Sequence, residues 1–563
     1  MRLTRNIQNH FSKAALSKDI SRTKFHMPFS HTTTGNSGKL IPFFMKECVP
    51  GDTVQCTTSI IARMQTPLAP VMDTAYLDWY YFFVPNRIIW EGFKEFMGER
   101  KTATYLPATN VPTLPQVNFQ QSGIRKTSVG NYFGLPLCGG SNDPNFVGSV
   151  SALPFRAYMK IWNDWFKSTQ LDDDIYFPTN SNTIYPIGST PGYDELLPVN
   201  KFADYFTTCL PSPQYGEAVS LGLLSDIPVY SRTARTPEFQ NNKILQLYLN
   251  TPGDQVTVNS GYPLMFQGQY NGSVKIGTGK VSSSVGVDTG IVSDGKAFSI
   301  ANLWADGASA TAITVNDLRL AFQIQKYKEA QARGGSRYTE LLESIWSVNS
   351  PDARLQRSEY IGGDRTLVNM QQIIQTSSSN EGTPQGTATG FSKTSAKGGG
   401  FTYACPEHGL VIGVMCIRPT HCYQQGVDRY WKKKDVFDFY NPLLANIGEQ
   451  PVYTSELYGG AQNDERVFGY QEAWADYRYS RSYVSGEMHS NIDNTLDIYH
   501  YADDYDTTPT LSAGWLKEDV SLIDRTLAVK SAVSDQFLID IYCDLSMIRP
   551  MPAYSIPGLI DHH

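Results

Sequence analysis

The chain has 563 residues and a formal net charge of -7, with 18% charged residues, 33 Tyr, 27 Phe, 9 Trp, 45 Gly and 32 Pro. The acidic balance excludes a protein that is basic all over, so any contact with nucleic acid must be local. The aromatic, Gly- and Pro-rich mix argues against a helical bundle and for a β-rich body with long excursions, in one large core or several domains of roughly 150 residues.

The chain opens on a basic segment in which Arg2, Arg5, Lys13, Lys18, Arg22 and Lys24 face the lone acid Asp19. Two readings fit it: a solvated chain end, or an arm (residues 1–38) that reaches phosphate. In "VPGDT", Pro50 and Gly51 suit the central positions of a type II turn. Beyond it Val54, Cys56, Thr58, Ile60, Ala62 and Met64 alternate with polar residues, which predicts a half-buried strand. "DTAYLDWYYFFVP" predicts a second strand from Thr74 to Val84 that is aromatic on both faces and should be covered on both sides.

Residues 102–150 and 171–200 read as loops, and 251–310 as a Gly-rich, β-rich insertion. Phe155, Tyr158, Met159, Trp162, Trp165 and Phe166 recur at helical spacing as a core stripe. A second helix fits "NDLRLAFQIQKYKEAQARGG", capped by Asn316 or Asp317 and stopped by Gly334 and Gly335.

At that helix end begins a stretch, Ala332 to Gly363, that carries Arg333, Arg337, Arg354 and Arg357 against Glu340, Glu343, Asp352 and Glu359. Its charges cancel, whereas a phosphate grip should be of one sign. Arg and Tyr anchors of mixed charge suit contact between protein copies, with Arg333, Arg337, Tyr338, Glu340, Arg354, Arg357 and Glu359 as the candidate residues.

Residues 376–400 are low in apolar side chains and predict a flexible loop, while "GLVIGVMCI" from Gly409 predicts a buried strand, far shorter than the ~20 residues of a membrane span. In "CIRPTHC", Cys416, His421 and Cys422 are the best candidates for a metal, but zinc wants four such ligands. The eight cysteines form no C-x-x-C pair and, with no secretory signal ahead of them, read as reduced thiols in a cytosol. "DRYWKKKDVFDFYNP" offers Arg429, Lys432, Lys433 and Lys434 to phosphate beside the stacking rings Tyr430 and Trp431, or else forms a salt-bridged surface turn. "YADDYD" reads as a solvated acidic loop or a weak calcium site. "QFLIDIYCDLSMI" predicts a last half-buried strand, and the Pro-rich tail 549–563 an extended arm. Strands near both ends of a long chain imply pairing between distant segments, the habit of sandwiches and jelly rolls. The chain has no P-loop, no H-E-x-x-H and no G-x-S-x-G, so no catalytic set or cofactor is expected.

The segments "KLIPFFMKECVPGDTVQ", "LDWYYFFVPNRIIWEGFKEFMGE", "ARGGSRYTELL", "SPDARLQRSEYIGG", "NIGEQPVYTSELY", "VFGYQEAWADYRYSRSYVSGEM" and "LDIYHYADDY" resemble, in this order, the signature blocks of the major capsid protein of Microviridae, in the gokushovirus branch. The resemblance runs from near residue 39 to near 515 and is weakest in 180–310 and 376–400. It implies a mainly β protein: one eight-stranded antiparallel jelly roll across residues 1–563, with long inter-strand loops and a few inserted helices. It implies a structural role, a T=1 icosahedral shell around circular single-stranded DNA, synthesised and assembled in the bacterial cytoplasm. The insertion at about 190–310 would project toward a host receptor. Implied partners are further copies of the chain, an internal scaffolding protein, a small basic DNA-binding protein and a minor pilot protein, with no membrane insertion. The basic partner would explain how an acidic chain encloses DNA, leaving Arg2, Arg5, Lys13, Arg429 and Lys432 to Lys434 as candidate inward contacts. Composition alone also allows a β-sandwich that binds or cleaves carbohydrate, or a single-stranded nucleic-acid-binding module.

Overall fold

A computed structural model describes residues 21–99, 112–139, 148–180, 186–216, 315–335, 337–379, 385–460 and 465–554, together with isolated residues and short strand segments elsewhere. Eight strands dominate. β1 runs as Thr23–His26 and Phe29–Gly35, joined through Met27, whose N–H bonds Leu545 O at 2.8 Å. It is followed by β2 (Ile41–Cys48), β3 (Thr53–Met64), β4 (Ala75–Pro85), β5 (Glu359–Leu367), β6 (Thr394–Ala404), β7 (Gly409–Pro419) and β8 (Phe537–Arg549).

The strands form two antiparallel sheets, in the orders β1-β8-β3-β6 and β2-β7-β4-β5. That is the wound connectivity of a jelly roll, so the protein is mainly β and antiparallel, as the resemblance implies. Between the sheets, Val54, Cys56 and Ile60 of β3 and Ile541, Cys543 and Leu545 of β8 meet Trp79, Tyr81 and Phe83 of β4 and Val411 and Met415 of β7. Tyr81 packs against Phe43, Phe44 and Phe401 at ring separations of 5.5, 5.5 and 4.6 Å. Each such side chain contributes roughly 1.5–3 kcal/mol on leaving water.

The sheets differ on their outer faces, which explains two kinds of sequence pattern. β3 and β8 alternate because their second face meets solvent: Asp540, Tyr542 and Asp544 are exposed between buried neighbours. β4 and β7 are apolar on both faces apart from Asp78 and Arg418 because the far side of their sheet is covered by helix α1 (Leu153–Ile161). There Phe82, Val84, Ile412 and Val414 pack with Phe155, Tyr158 and Met159. Tyr158 is fully buried, donates to Leu40 O at 2.6 Å and accepts from the Leu197 N–H at 3.0 Å, so it ties the helix to two loops. The turn before β3 is as the sequence predicts, with Gly51 at φ +88.

Three expectations are corrected. The stripe from Phe155 to Phe166 does not lie on one regular α-helix: the helix starting at Leu153 turns into a π-helical segment over Trp162–Phe166 and stops there. Helix α2 (Val315–Gly334) starts before Asn316 and Asp317, so these lie in its first turn and do not cap it, while Gly335 ends it at φ +93. Residues 376–400, read as a flexible loop, contain a strand at Ala388–Ser392 and much of β6. Backbone pairing to β3 orders β6 despite its few apolar side chains, and a Cβ at Gly399 would strike the Trp79 ring. Low hydrophobicity here reflects close packing of glycine on a tryptophan.

The chain divides into two compact units, one of residues Gly216–Lys328 and one of all the rest. In the smaller unit Val229–Ser231 pairs with Leu303–Ala305, Leu247–Leu249 pairs with Gln255–Val256 and Phe298–Ile300, and Leu264–Tyr270 forms a hairpin with Ser273–Thr278.

Candidate functional site

The mixed-charge stretch lies against the end of α1. Helix α3 (Tyr338–Trp346) starts at Arg337, whose backbone N–H donates to Glu340 Oε2 at 3.0 Å, and ends at Ser347 in the left-handed conformation. Glu340 therefore caps its own helix. The Arg337 guanidinium donates to the carbonyls of Asn163 and Lys167, each at 3.2 Å. Arg357 donates to Asp164 O at 2.7 Å and lies over the Trp165 ring at 4.6 Å. A helix end leaves orphan carbonyls and a partial negative charge, and these two cations satisfy both. Arg333 bonds the buried Glu449 carboxylate, with Nε at 2.8 Å, and Glu359 accepts from Tyr403 O–H at 2.9 Å. Of the seven candidates, Arg333, Arg354 and Tyr338 are exposed, Tyr338 at 66% on the rim of a cleft of about 600 Å³ lined also by Lys160, Lys167, Tyr176 and Arg337.

The basic-aromatic candidate forms a strap, residues 428–447, of short 3-10 turns. Arg429 donates to Pro451 O at 2.9 Å, and Lys433 pairs with Asp476 at 3.0 Å with its ammonium 4.0 Å from the Tyr477 ring centroid. Those two charges point into the protein. Lys432 is half-buried and Lys434 exposed. Arg2, Arg5 and Lys13 lie outside the described residues.

The metal candidates do not converge. Cys416 is buried in the sheet, Cys422 donates weakly to Asp73, and His421 is clamped between carboxylates, Nδ1 to Asp503 at 2.9 Å and Nε2 to Glu518 at 3.0 Å. Among the described residues no group of three or more His, Cys, Asp and Glu could hold a metal ion. Asp503, read as part of a solvated acidic loop, is buried, with Lys201 3.7 Å away. Burial pushes its carboxyl up, but the charge and hydrogen bond of His421 together with the charge of Lys201 and a hydrogen bond from Tyr505 outweigh this and hold it below the usual range. The eight cysteines are free thiols. Among the described residues no helix is long and apolar enough to cross a membrane.

A family of phage proteins described as capsid protein (F protein) matches residues 14–559. The chain is 36% identical to capsid protein VP1 of Spiroplasma virus 4 over 557 residues, covering 96% of each chain. It is 33% identical to capsid protein VP1 of Bdellovibrio phage phiMH2K over 560 residues, with 99% and 98% covered, and 31% identical to capsid protein VP1 of Chlamydia phage 1 over 605 aligned positions, with 98% of each covered. The chain belongs to this capsid protein family.

As a Microviridae capsid protein it is structural and not an enzyme; it associates with its own kind, and its place is the capsid of the virion. The carbohydrate reading has no support in the full-length match. For a capsid protein the useful question about each charge is whether it acts within one subunit or between two. Replacing Arg357 with alanine is expected to destabilise the unassembled chain by about 1.5–3 kcal/mol, the worth of a hydrogen bond from a charged donor, while Arg354→Ala leaves it unchanged. Thermal unfolding of unassembled protein decides: an unaltered midpoint for Arg357→Ala, with assembly blocked, would instead make Arg357 an intersubunit residue.

Sequence inspection missed one polar centre of the capsid protein. Asp78, buried in β4, accepts from Arg365 at 2.6 Å and from Arg418 Nη2 at 2.5 Å, and the Arg418 guanidinium covers the Phe202 ring at 4.1 Å. The signal was present: an acid in a strand covered on both sides must find a cation, and β5 and β7 flank β4 with one each.

Proposed function

We propose that this capsid protein builds a T=1 icosahedral shell around a circular single-stranded DNA genome. The observation that supports a closed shell best is the near-complete alignment of the whole jelly roll with capsid proteins, loops included. Long segments such as the strap can order against neighbouring subunits, which closed symmetry supplies on all sides. The basic arm, with Arg2, Arg5 and Lys13, reaches inward to DNA, and a small basic protein neutralises the remaining phosphate charge that a chain of net charge -7 cannot. Scaffolding and pilot proteins assist assembly in the host cytoplasm, and the insertion at about 190–310 projects toward a host receptor. The tail 549–563 extends over an adjacent copy.

Sedimentation and imaging of the protein from producing cells, with nuclease protection on the same fractions, test this. Uniform isometric particles of 60 copies follow from T=1 symmetry, and any other size or an open form overturns it. Replacing Arg2, Arg5 and Lys13 with serine is expected to leave particle yield intact and to reduce protected DNA several-fold; unchanged protection removes the arm from DNA contact.

A further inference from the structure

The strap carries more than its lysines. Its underside is fixed: Arg429 and Lys433 are bonded inward, Trp474 Nε1 donates to Leu444 O at 2.9 Å, and Asn441 Oδ1 accepts from Leu443 N at 3.0 Å ahead of the turn at Pro442. Its upper side is bare and apolar, with Trp431 69%, Val436 80%, Phe437 76% and Leu443 92% exposed, beside Tyr430 and Phe439 at more than half. The four aromatic side chains offer ~150–250 Å² each, and with Val436 and Leu443 they expose an area on the order of the ~800 Å² per partner of a standard interface and above the ~300–600 Å² of the largest patch on a typical monomer.

From this we infer that the strap, residues 428–447, is a docking surface for a second copy of this chain. This rests on the shell-forming role. Three observations select the occupant. Val436 and Leu443 have no π-face for a base, Asp435 and Asp438 flank Val436 and Phe437, and Arg429 and Lys433 are turned inward, so the surface fits protein and not nucleic acid. The rings are held by bonded turns, which suits the core of a specific contact, where aromatic anchors dominate. A patch of this size, repeated on every subunit and left bare in the finished particle, would glue particles together, so its cover must be permanent and as numerous as the subunits. Another copy meets both conditions.

The test compares hydroxyl-radical oxidation of Trp431 and Phe437 in assembled particles and in the unassembled chain, and examines Leu443→Asp. At least tenfold protection in particles is expected, retained in particles emptied of DNA. Leu443→Asp, at a side chain that touches little of its own subunit, is expected to keep the unfolding midpoint of the wild type and to lose particles. Equal oxidation in both states, or wild-type particle yield for Leu443→Asp, overturns the inference. Protection that disappears with the genome overturns it in favour of DNA. Should Leu443→Asp fail to fold, the wild-type footprint still decides. Absence of particles from the wild-type chain removes the shell reading and the inference with it.

Discussion

Asp78→Asn is expected to cost the subunit about 3–5 kcal/mol, because removing one partner of a buried ionic cluster strands the other charges. Asp78 has 1% of its side chain exposed and takes both Arg365 and Arg418, from the strands on either side of β4. Asparagine keeps the shape, yet it has one carbonyl oxygen where two carboxylate oxygens served two guanidinium groups, and its amide donors face other donors. Arg365 is half-exposed and can turn toward water; Arg418 is mostly enclosed beneath Phe202 and cannot. Pairing Asp78→Asn with Arg418→Met should therefore recover a substantial part of the loss, whereas pairing it with Arg365→Met should recover little. Urea unfolding of the unassembled chain measures both, and a loss under about 1 kcal/mol for Asp78→Asn would mean that the cluster is not energetically coupled.

The second large effect is a dependence on pH. Burial on its own would lower the pKa of His421, but Asp503 and Glu518, one on each ring nitrogen, outweigh it and raise the pKa to about 9. Because the folded value lies above the unfolded one, the charged ring stabilises fully below pH ~6.5, and the contribution, about 3 kcal/mol, is lost as pH rises through about 9. Lys201 faces the same Asp503 at 3.7 Å. The cluster joins the segment after β7 to the 503 and 518 loops, so alkaline pH should loosen all three together. His421→Gln should be several kcal/mol less stable than the wild type at pH 6.5, with the gap narrowing toward pH 10. A gap that stays constant over that range would show that His421 acts as a neutral hydrogen-bonding group.

Much of the sandwich was legible because alternation reports solvent on one side and its absence reports cover on both. β3 and β8 show the first pattern, β4 and β7 the second. β6 was not legible, since a glycine run that packs under Trp79 has the composition of a loop. The order of strands within each sheet was not legible either, because nothing local specifies a partner hundreds of residues away. Of the candidate site residues, charge alone singled out Arg337, Arg357, Arg429 and Lys433, but direction decides their use. The carbonyls of Asn163, Asp164 and Lys167 that draw in two arginines, and Asp476 that draws in the lysine, lie on segments that sequence inspection does not bring near. The apolar strap hid behind its own lysines for a similar reason: "DRYWKKKDVFDFYNP" reads as a phosphate contact or a salt-bridged turn until the fold shows its apolar side chains exposed.

β8 occupies an interior position in its sheet, bonded to β1 and β3, and the hydrogen bond from Thr32 to Asp540 spans 508 residues of sequence. A strand that completes the centre of a sheet so late leaves β1 and β3 without their common neighbour for almost all of synthesis, and such distant pairing is slow to form. A chain that ends before Phe537 lacks the strand that joins β1 to β3, and is expected neither to close its sandwich nor to enter particles, so that folding itself would sort complete chains from incomplete ones.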